Sequence, residues 1–134
     1  MKKQIFFLLI ITAGLLQFAC KKEVDGGNAP VITEVRAMDT TKRDSFFTRA
    51  IPGTLIVIKG DNFDGLKAVY FNDTSAYFNP SYVTKNNIII TIPGTAQTAA
   101  TNPKVPNVIK VVTDHGTVSY SFTLYLPPPQ IYSI

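Results

Sequence analysis

Residues 108–126 read VIKVVTDHGTVSYSFTLYL, two apolar stretches separated by Asp114-His115-Gly116. Apolar and hydroxyl side chains alternate along the second stretch, which is the period of a strand with one buried face. Its apolar members are Val118, Tyr120, Phe122 and Leu124. The three separating residues suit a tight turn because they tolerate left-handed backbone. The segment therefore predicts a β-hairpin with His115 in its turn.

The rest of the chain after residue 30 carries the same pattern in shorter pieces. Its predicted strands span Val31–Ala37, Thr54–Lys59, Lys67–Asn72, Ala76–Phe78 and Ile88–Ile92, followed by the hairpin strands Val108–Thr113 and Thr117–Leu126. About seven short strands in roughly 100 residues are typical of an immunoglobulin-like β-sandwich. The residues expected to face the core are Ile56, Ile58, Val69, Phe71, Ile88, Ile90, Ile92, Ile109 and Val111. Leu55, Val57 and Ile89 are expected to point away from it.

The N-terminus has the features of a secretion signal. Lys2 and Lys3 precede an apolar run over residues 5–18, and Ala19 precedes Cys20, the single cysteine of the chain. This arrangement resembles the lipobox of bacterial lipoproteins and implies a signal peptide over 1–19, a lipidated Cys20 and a flexible tether over 20–29. An ordinary signal peptide and an uncleaved helix remain alternatives. Removal of the leader takes away two lysines and no acidic residue, so the nearly balanced remainder gives no support for nucleic-acid binding.

Four motifs follow one another along the strands. They are Gly60-Asp61-Asn62-Phe63, Val69-Tyr70-Phe71-Asn72, Ile88–Pro93, and Val111–Gly116 with Phe122. The ordered set resembles the IPT/TIG domain, whose pattern reads G-x-N-F, V-x-F, I-x-V-x-V-P and V-x-V-x-T-x-x-G. The resemblance covers about residues 30–127 and implies an immunoglobulin-like sandwich. Phe63 is expected to plug one end of it, and Pro93 to stop strand pairing.

The long polar stretch over residues 39–53 resembles the first IPT/TIG domain of Bacteroidetes-type surface glycan-binding lipoproteins. The resemblance implies an outer-membrane lipoprotein, at the cell surface, in which this module is the membrane-proximal spacer. Polysaccharide would bind a separate domain, and outer-membrane transporter proteins would be neighbours. Residues 128–134 repeat the spacing of Pro30–Val35 and predict the start of a second repeat. The alternative is a structural or adhesive module that binds another envelope protein through an outer sheet face or the 39–53 loop.

No residue constellation in the sequence indicates catalysis, a metal or a cofactor. His115 is the single histidine, with no nucleophile or orienting partner apparent. Asp61, Asp64 and Asp73 lack the ligand ladder of a calcium loop, so turn capping is the prediction for them. The aromatic residues not assigned to the core are Phe46, Phe47, Tyr70, Tyr77, Phe78, Tyr82 and Tyr125. Of these, the candidate ligand-binding residues are Phe46, Phe47, Tyr70 and Tyr77, with packing as the alternative for each.

Overall fold

The computed structural model describes residues 27–38, 48–129 and 131–132. The strands in these ranges are β1 Val31–Ala37, β2 Arg49–Ala50, β3 Leu55–Asp61, β4 Leu66–Phe71, β5 Thr74–Ala76, β6 Asn87–Thr91, β7 Val108–Thr113, β8 Gly116–Ser121 and β9 Thr123–Leu124. A 3-10 turn, Pro80–Tyr82, lies between β5 and β6. Within the described ranges no helix has the length and apolar character needed to cross a bilayer. Cys20, Phe46 and Phe47 lie outside these ranges, so the roles given to them stay predictions.

The strands form two antiparallel sheets that face each other across one core. Sheet 1 has the order β1-β3-β6, and sheet 2 has the order β5-β4-β7-β8. The short strands β2 and β9 pair in parallel beside them. This arrangement confirms the predicted all-β sandwich, and the hairpin joining β7 to β8 has Asp114 and His115 in its turn, as expected.

The core is built from the inward members of each alternating strand. All nine predicted core residues are buried, and the two outward ones on β3 and the one on β6 are half-buried or exposed. A fully buried aliphatic or aromatic side chain contributes about 1.5–3 kcal/mol relative to exposure. The core therefore holds both sheets together without a disulfide in the described chain.

Several strand boundaries differ from the prediction, and the largest differences concern the fourth and the last predicted strands. The fourth strand is Thr74–Ala76 instead of Ala76–Phe78, because Asn72 and Asp73 both take positive φ values of 46° and 67° and reverse the chain at once. The last strand is not continuous. Phe122 lies between β8 and β9: its N–H still donates to the Asn107 carbonyl at 2.9 Å on the β7 side, and the next residue, Thr123, bonds to a different partner.

The shift at Phe122 also explains a strand that the sequence did not predict. After it, the Thr123 N–H donates to the Thr48 carbonyl at 2.9 Å and the Tyr125 N–H to the Ala50 carbonyl at 3.1 Å. These bonds place β2 against β9, inside a stretch expected to be loop. β3 ends at Asp61, two residues beyond the predicted end at Lys59.

One end of the sandwich, called here the Asn62 end, is closed by Phe63, whose side chain is fully buried. Gly60 lies so close to β1 that an added Cβ would sit 1.8 Å from the Val31 carbonyl oxygen. Asn62 takes a left-handed φ of 61°, and its amide donates to the Ala29 carbonyl at 3.2 Å. The G-x-N-F motif therefore closes this end as predicted: Gly60 lies in the strand, Asn62 makes the left-handed turn, and the buried Phe63 ring fills the end of the core.

Candidate functional site

Tyr70 and Tyr77, the two candidate ligand-binding residues within the described chain, lie in different surroundings. Tyr70 is half-buried on β4, and the Lys110 ammonium lies 4.8 Å from its ring centroid. Lys110 also approaches the Asp73 carboxylate at 3.8 Å. A ring face occupied by a cation in this way is engaged in a cation–π contact. Tyr70 therefore contacts Lys110 on the outside of sheet 2, whereas Tyr77 is 85% exposed. The ligand-binding role given to each of them stays a prediction.

Tyr77 lines a groove of about 440 Å³ beside the edge of sheet 1, called here the Tyr77–Tyr82 groove. Its floor is the outer face of β3 and β6, where Leu55 pairs with Thr91. Its wall is the segment that crosses from β5 to β6, residues 77–84. The complete lining is Met38, Leu55, Tyr77, Phe78, Asn79, Tyr82, Ile89, Ile90 and Thr91. Tyr70 is not among these residues.

The wall of the groove is held by a capped 3-10 turn. The Asn79 side-chain oxygen accepts a hydrogen bond from the Ser81 N–H at 3.0 Å, and Pro80 opens the turn. The Tyr82 N–H donates to the Asn79 carbonyl at 2.9 Å. Asparagine followed by proline suits such a start, because the side chain caps the turn and proline has no N–H to leave unpaired. This turn projects Tyr82, 57% exposed, toward the side on which Tyr77 lies.

Charge on the outer face of sheet 1 is concentrated away from the groove. Glu34 forms ion pairs with Arg36 and, at 3.4 Å, with Lys59. The hydrogen bond from Arg36 and the charge of Arg36, and to a smaller extent the hydrogen bond and charge of Lys59, hold the pKa of Glu34 below its ordinary value of 4.5 despite an opposing effect of desolvation. Among the residues that the structure describes, no charged side chain lines the groove. The face is thus divided into a charged end and an uncharged, apolar one.

The polar residues considered for metal binding or catalysis lie in turns. The Asp61 carboxylate accepts from the Asn62 N–H at 2.8 Å and from the Asn86 amide at 3.2 Å, which is the capping role expected of it. The His115 N–H donates to the Thr113 hydroxyl at 3.2 Å, and its ring lies against Gly27. Within the described part of the chain, no group of three metal-binding side chains converges.

Tyr82 and Asn79 complete the groove, and neither was among the candidate ligand-binding residues. The sequence does contain a feature that could have indicated them. Asn79-Pro80 is a pair that starts a helical turn, and Tyr82, an aromatic residue not assigned to the core, follows it closely. The residues around this turn do not predict that it lies beside Leu55 and Ile89, because that position depends on which strands become neighbours in the fold.

The sequence pattern of the IPT/TIG domain matches residues 44–125. This chain is a member of the IPT/TIG family. An IPT/TIG domain-containing protein of Bacteroides ovatus is 36% identical over 123 residues, which make up 92% of this chain and 25% of that protein. The chain therefore spans about a quarter of the length of the curated relative that it matches.

Two solved structures share the fold of this IPT/TIG chain. One is a protein crystallised with a xylogluco-oligosaccharide, with 34% sequence identity, a TM-score of 0.65, and coverage of 75% of this chain and 20% of that one. The other is the surface glycan-binding protein PbSGBP-B from Prevotella bryantii, with 27% identity, a TM-score of 0.64, and coverage of 75% and 22%.

Proposed function

We propose that this IPT/TIG chain is a non-catalytic, lipid-anchored module of the cell envelope that serves as the membrane-proximal spacer of a surface glycan-binding protein. The observation that carries the proposal is the likeness, at 34% identity and a TM-score of 0.65, to part of a protein crystallised with a xylogluco-oligosaccharide. The second solved relative, named as a surface glycan-binding protein, supports the same assignment. In both, the alignment covers about a fifth of the longer chain, which suits one module among several.

The shape of the module suits a spacer. β1 begins at the Asn62 end, and β8 runs from Gly116, beside Ala29 at that end, toward the opposite end. The chain thus leaves the fold at the far side from Pro30. A folded module of this kind would hold a glycan-binding domain at a set distance from the membrane. Polysaccharide captured there would have a raised effective concentration near the transporter that imports it.

The anchor in this proposal is Cys20. Thioether-linked acyl chains stabilise membrane attachment by about 0.8 kcal/mol per buried methylene, and more than one chain is needed for a lasting hold. We expect radiolabelled palmitate to be incorporated into the chain expressed in a bacterial host. Cys20→Ala should abolish that incorporation. Labelling that persists in the variant would refute lipidation at this residue.

The spacer role is tested by electrophoresis of the chain through native gels containing xyloglucan, with bovine serum albumin as the unretarded control. A spacer should migrate equally in gels with and without polysaccharide. Retardation by xyloglucan would place glycan binding in this module and contradict the proposal.

A second candidate function is adhesion to another envelope protein. The Tyr77–Tyr82 groove favours it, because an uncharged apolar surface with exposed aromatic residues is typical of contact sites between proteins.

A further inference from the structure

We propose that the turn between β7 and β8 fastens the chain that enters the sandwich, with His115 as the positioning residue. The contact, called here the His115 latch, joins His115 and Gly116 to residues 27–29. It deepens the proposed spacer role and rests on that role for its consequence at the membrane, since the folded module would begin at Gly27 instead of at β1. The contact itself is tested without a glycan, so the failure of one proposal is distinguishable from the failure of the other.

The backbone of Gly27 lies directly against the imidazole ring of His115. A Cβ added at Gly27 would overlap the Nε2 corner of that ring together with its two neighbouring carbon atoms. Carbon atoms in contact are about 3.5–4.0 Å apart, so a side chain at position 27 and the ring in its present place exclude each other. Glycine has no Cβ and permits this close approach. The ring thus contacts the entering chain before β1 begins at Val31.

Ala29 is held on the same side of the module by two further contacts. A Cβ added at Gly116 would lie 3.2 Å from the Ala29 Cβ, so β8 begins directly beside Ala29. The Asn62 side-chain amide donates to the Ala29 carbonyl at 3.2 Å. Pro30, which follows, is buried. Contacts with the Asn62 end therefore run from Gly27 through Ala29 to the core.

The turn that carries His115 is itself fastened to its neighbours, so the ring is presented from a fixed backbone. The Asp114 N–H donates to the Gly65 carbonyl at 3.0 Å, and the His115 N–H donates to the Thr113 hydroxyl at 3.2 Å. The Asp114 carboxylate also pairs with the Lys67 ammonium at 2.9 Å. A group on a fixed turn loses less conformational entropy on contact than one on a mobile loop. The latch is preorganised in this sense.

The latch can open without unfolding the sandwich. Residues 27–29 are exposed on their outer side, whereas the buried part of the chain starts with Pro30 and Ile32. A segment that buries little apolar surface opens at a low cost in free energy. Closed, the latch removes residues 27–29 from the tether predicted over 20–29, which shortens the reach of that tether by about 10 Å. In the spacer proposal, it thereby sets how far the module stands from the membrane.

The proposal is tested by NMR relaxation of the full chain in detergent micelles, with the backbone order parameters of residues 28–29 as the measured quantity. Gly27→Val places a side chain where the ring lies, and His115→Ala removes the ring. Gly94→Val is the matched control for the first variant, because an added Cβ at Gly94 meets no atom within 4 Å. Thr117→Ala is the control for the second, because Thr117 is an exposed residue of the same hairpin.

We expect order parameters of about 0.85 at residues 28–29 in the parent chain, as in a rigid backbone, and values below about 0.6 in Gly27→Val and in His115→Ala. Gly94→Val and Thr117→Ala should keep the parent values. Unchanged amide chemical shifts in β3 and β6 would show that the sandwich is intact in each variant. The latch is overturned if residues 28–29 are already mobile in the parent, if either test variant leaves their order unchanged, or if a control variant loosens them equally. Migration through xyloglucan gels remains a separate measurement, so a loose entering chain would contradict the latch alone.

Discussion

Replacement of Gly60 by alanine tests how closely the G-x-N-F turn draws the two strands of sheet 1 together. The new Cβ would lie 1.8 Å from the Val31 carbonyl oxygen and 2.6 Å from Cζ of Phe63. The first of these atoms belongs to the backbone of β1, so it cannot rotate out of the way. Pairing between β1 and β3 must therefore shift at the point where Ile32 faces Gly60.

The size of the effect follows from comparison with Gly94, where an added Cβ would meet no atom within 4 Å. A glycine-to-alanine change at an unstrained position stabilises a protein by about 0.4–1 kcal/mol, because it lowers the entropy of the unfolded chain. Crowding in a packed region costs about 1–3 kcal/mol. The entropy effect is common to both variants and cancels, so Gly60→Ala should have a free energy of unfolding about 1–3 kcal/mol below that of Gly94→Ala because of the crowding alone. In a domain of this size the difference in Tm is at least about 4 °C.

Thermal and urea unfolding followed by far-ultraviolet circular dichroism measures this difference, since the chain contains no tryptophan to report by fluorescence. Equal stabilities of the Gly60 and Gly94 variants would refute the reasoning. A double variant with Phe63→Leu separates the two close contacts. Because the Val31 carbonyl oxygen remains in place, the double variant should be at most about 0.5 kcal/mol more stable than the sum of the two single substitutions predicts. A larger gain in stability would identify the aromatic ring, and not the backbone, as the obstacle to the added Cβ.

Three further predictions concern other parts of the sandwich. Asn72→Ala should lower the free energy of unfolding, measured in urea, by about 1–3 kcal/mol, because it leaves two part-buried backbone groups, the Gln97 carbonyl and the Val108 N–H, without this partner; a loss below about 0.5 kcal/mol, on the order of a surface change, would contradict this. The pKa of Glu34 is lowered chiefly by Arg36, so its stabilising effect is complete at neutral pH and is lost as the pH falls through that lowered pKa. Glu34→Gln should therefore lose less stability on acidification than the parent in Tm measurements, and equal losses would count against the ion pair. Tyr77→Ala should change the free energy of unfolding by less than about 0.5 kcal/mol, whereas half-buried Phe78→Ala should lower it by more than about 1 kcal/mol; matching values would show that Tyr77 is packed.

Residues whose roles depend on neighbours in sequence were predicted correctly. Ile88, Ile90 and Ile92 alternate with outward residues, and this period alone indicates that they share a buried face. The G-x-N-F motif likewise placed Phe63 at one end of the sandwich, because the glycine and asparagine before it permit the turn that brings the ring inward. Such inferences need no knowledge of which strands pair.

Residues whose roles depend on distant parts of the chain could not be predicted in the same way. Asn72 reads as the end of a strand, yet its buried amide bonds to Gln97 and Val108, which are 25 and 36 residues away. The groove is similar, since Leu55 meets Thr91 only through the pairing of β3 with β6. Periodicity indicates the face on which each residue lies. It does not indicate which strand will lie beside it.

The parallel pairing of β2 with β9 has a mechanical consequence for a chain that is pulled at its two ends. Pro30 lies at the Asn62 end, and Tyr125 follows β9 toward the opposite end, so a pull between these residues acts along the strands. The bonds at Thr123 and Tyr125 then bear tension together, in shear, instead of parting one after another. Under the proposed spacer role, a module of this topology would transmit the drag of a bound polymer to the membrane anchor while the core stays closed.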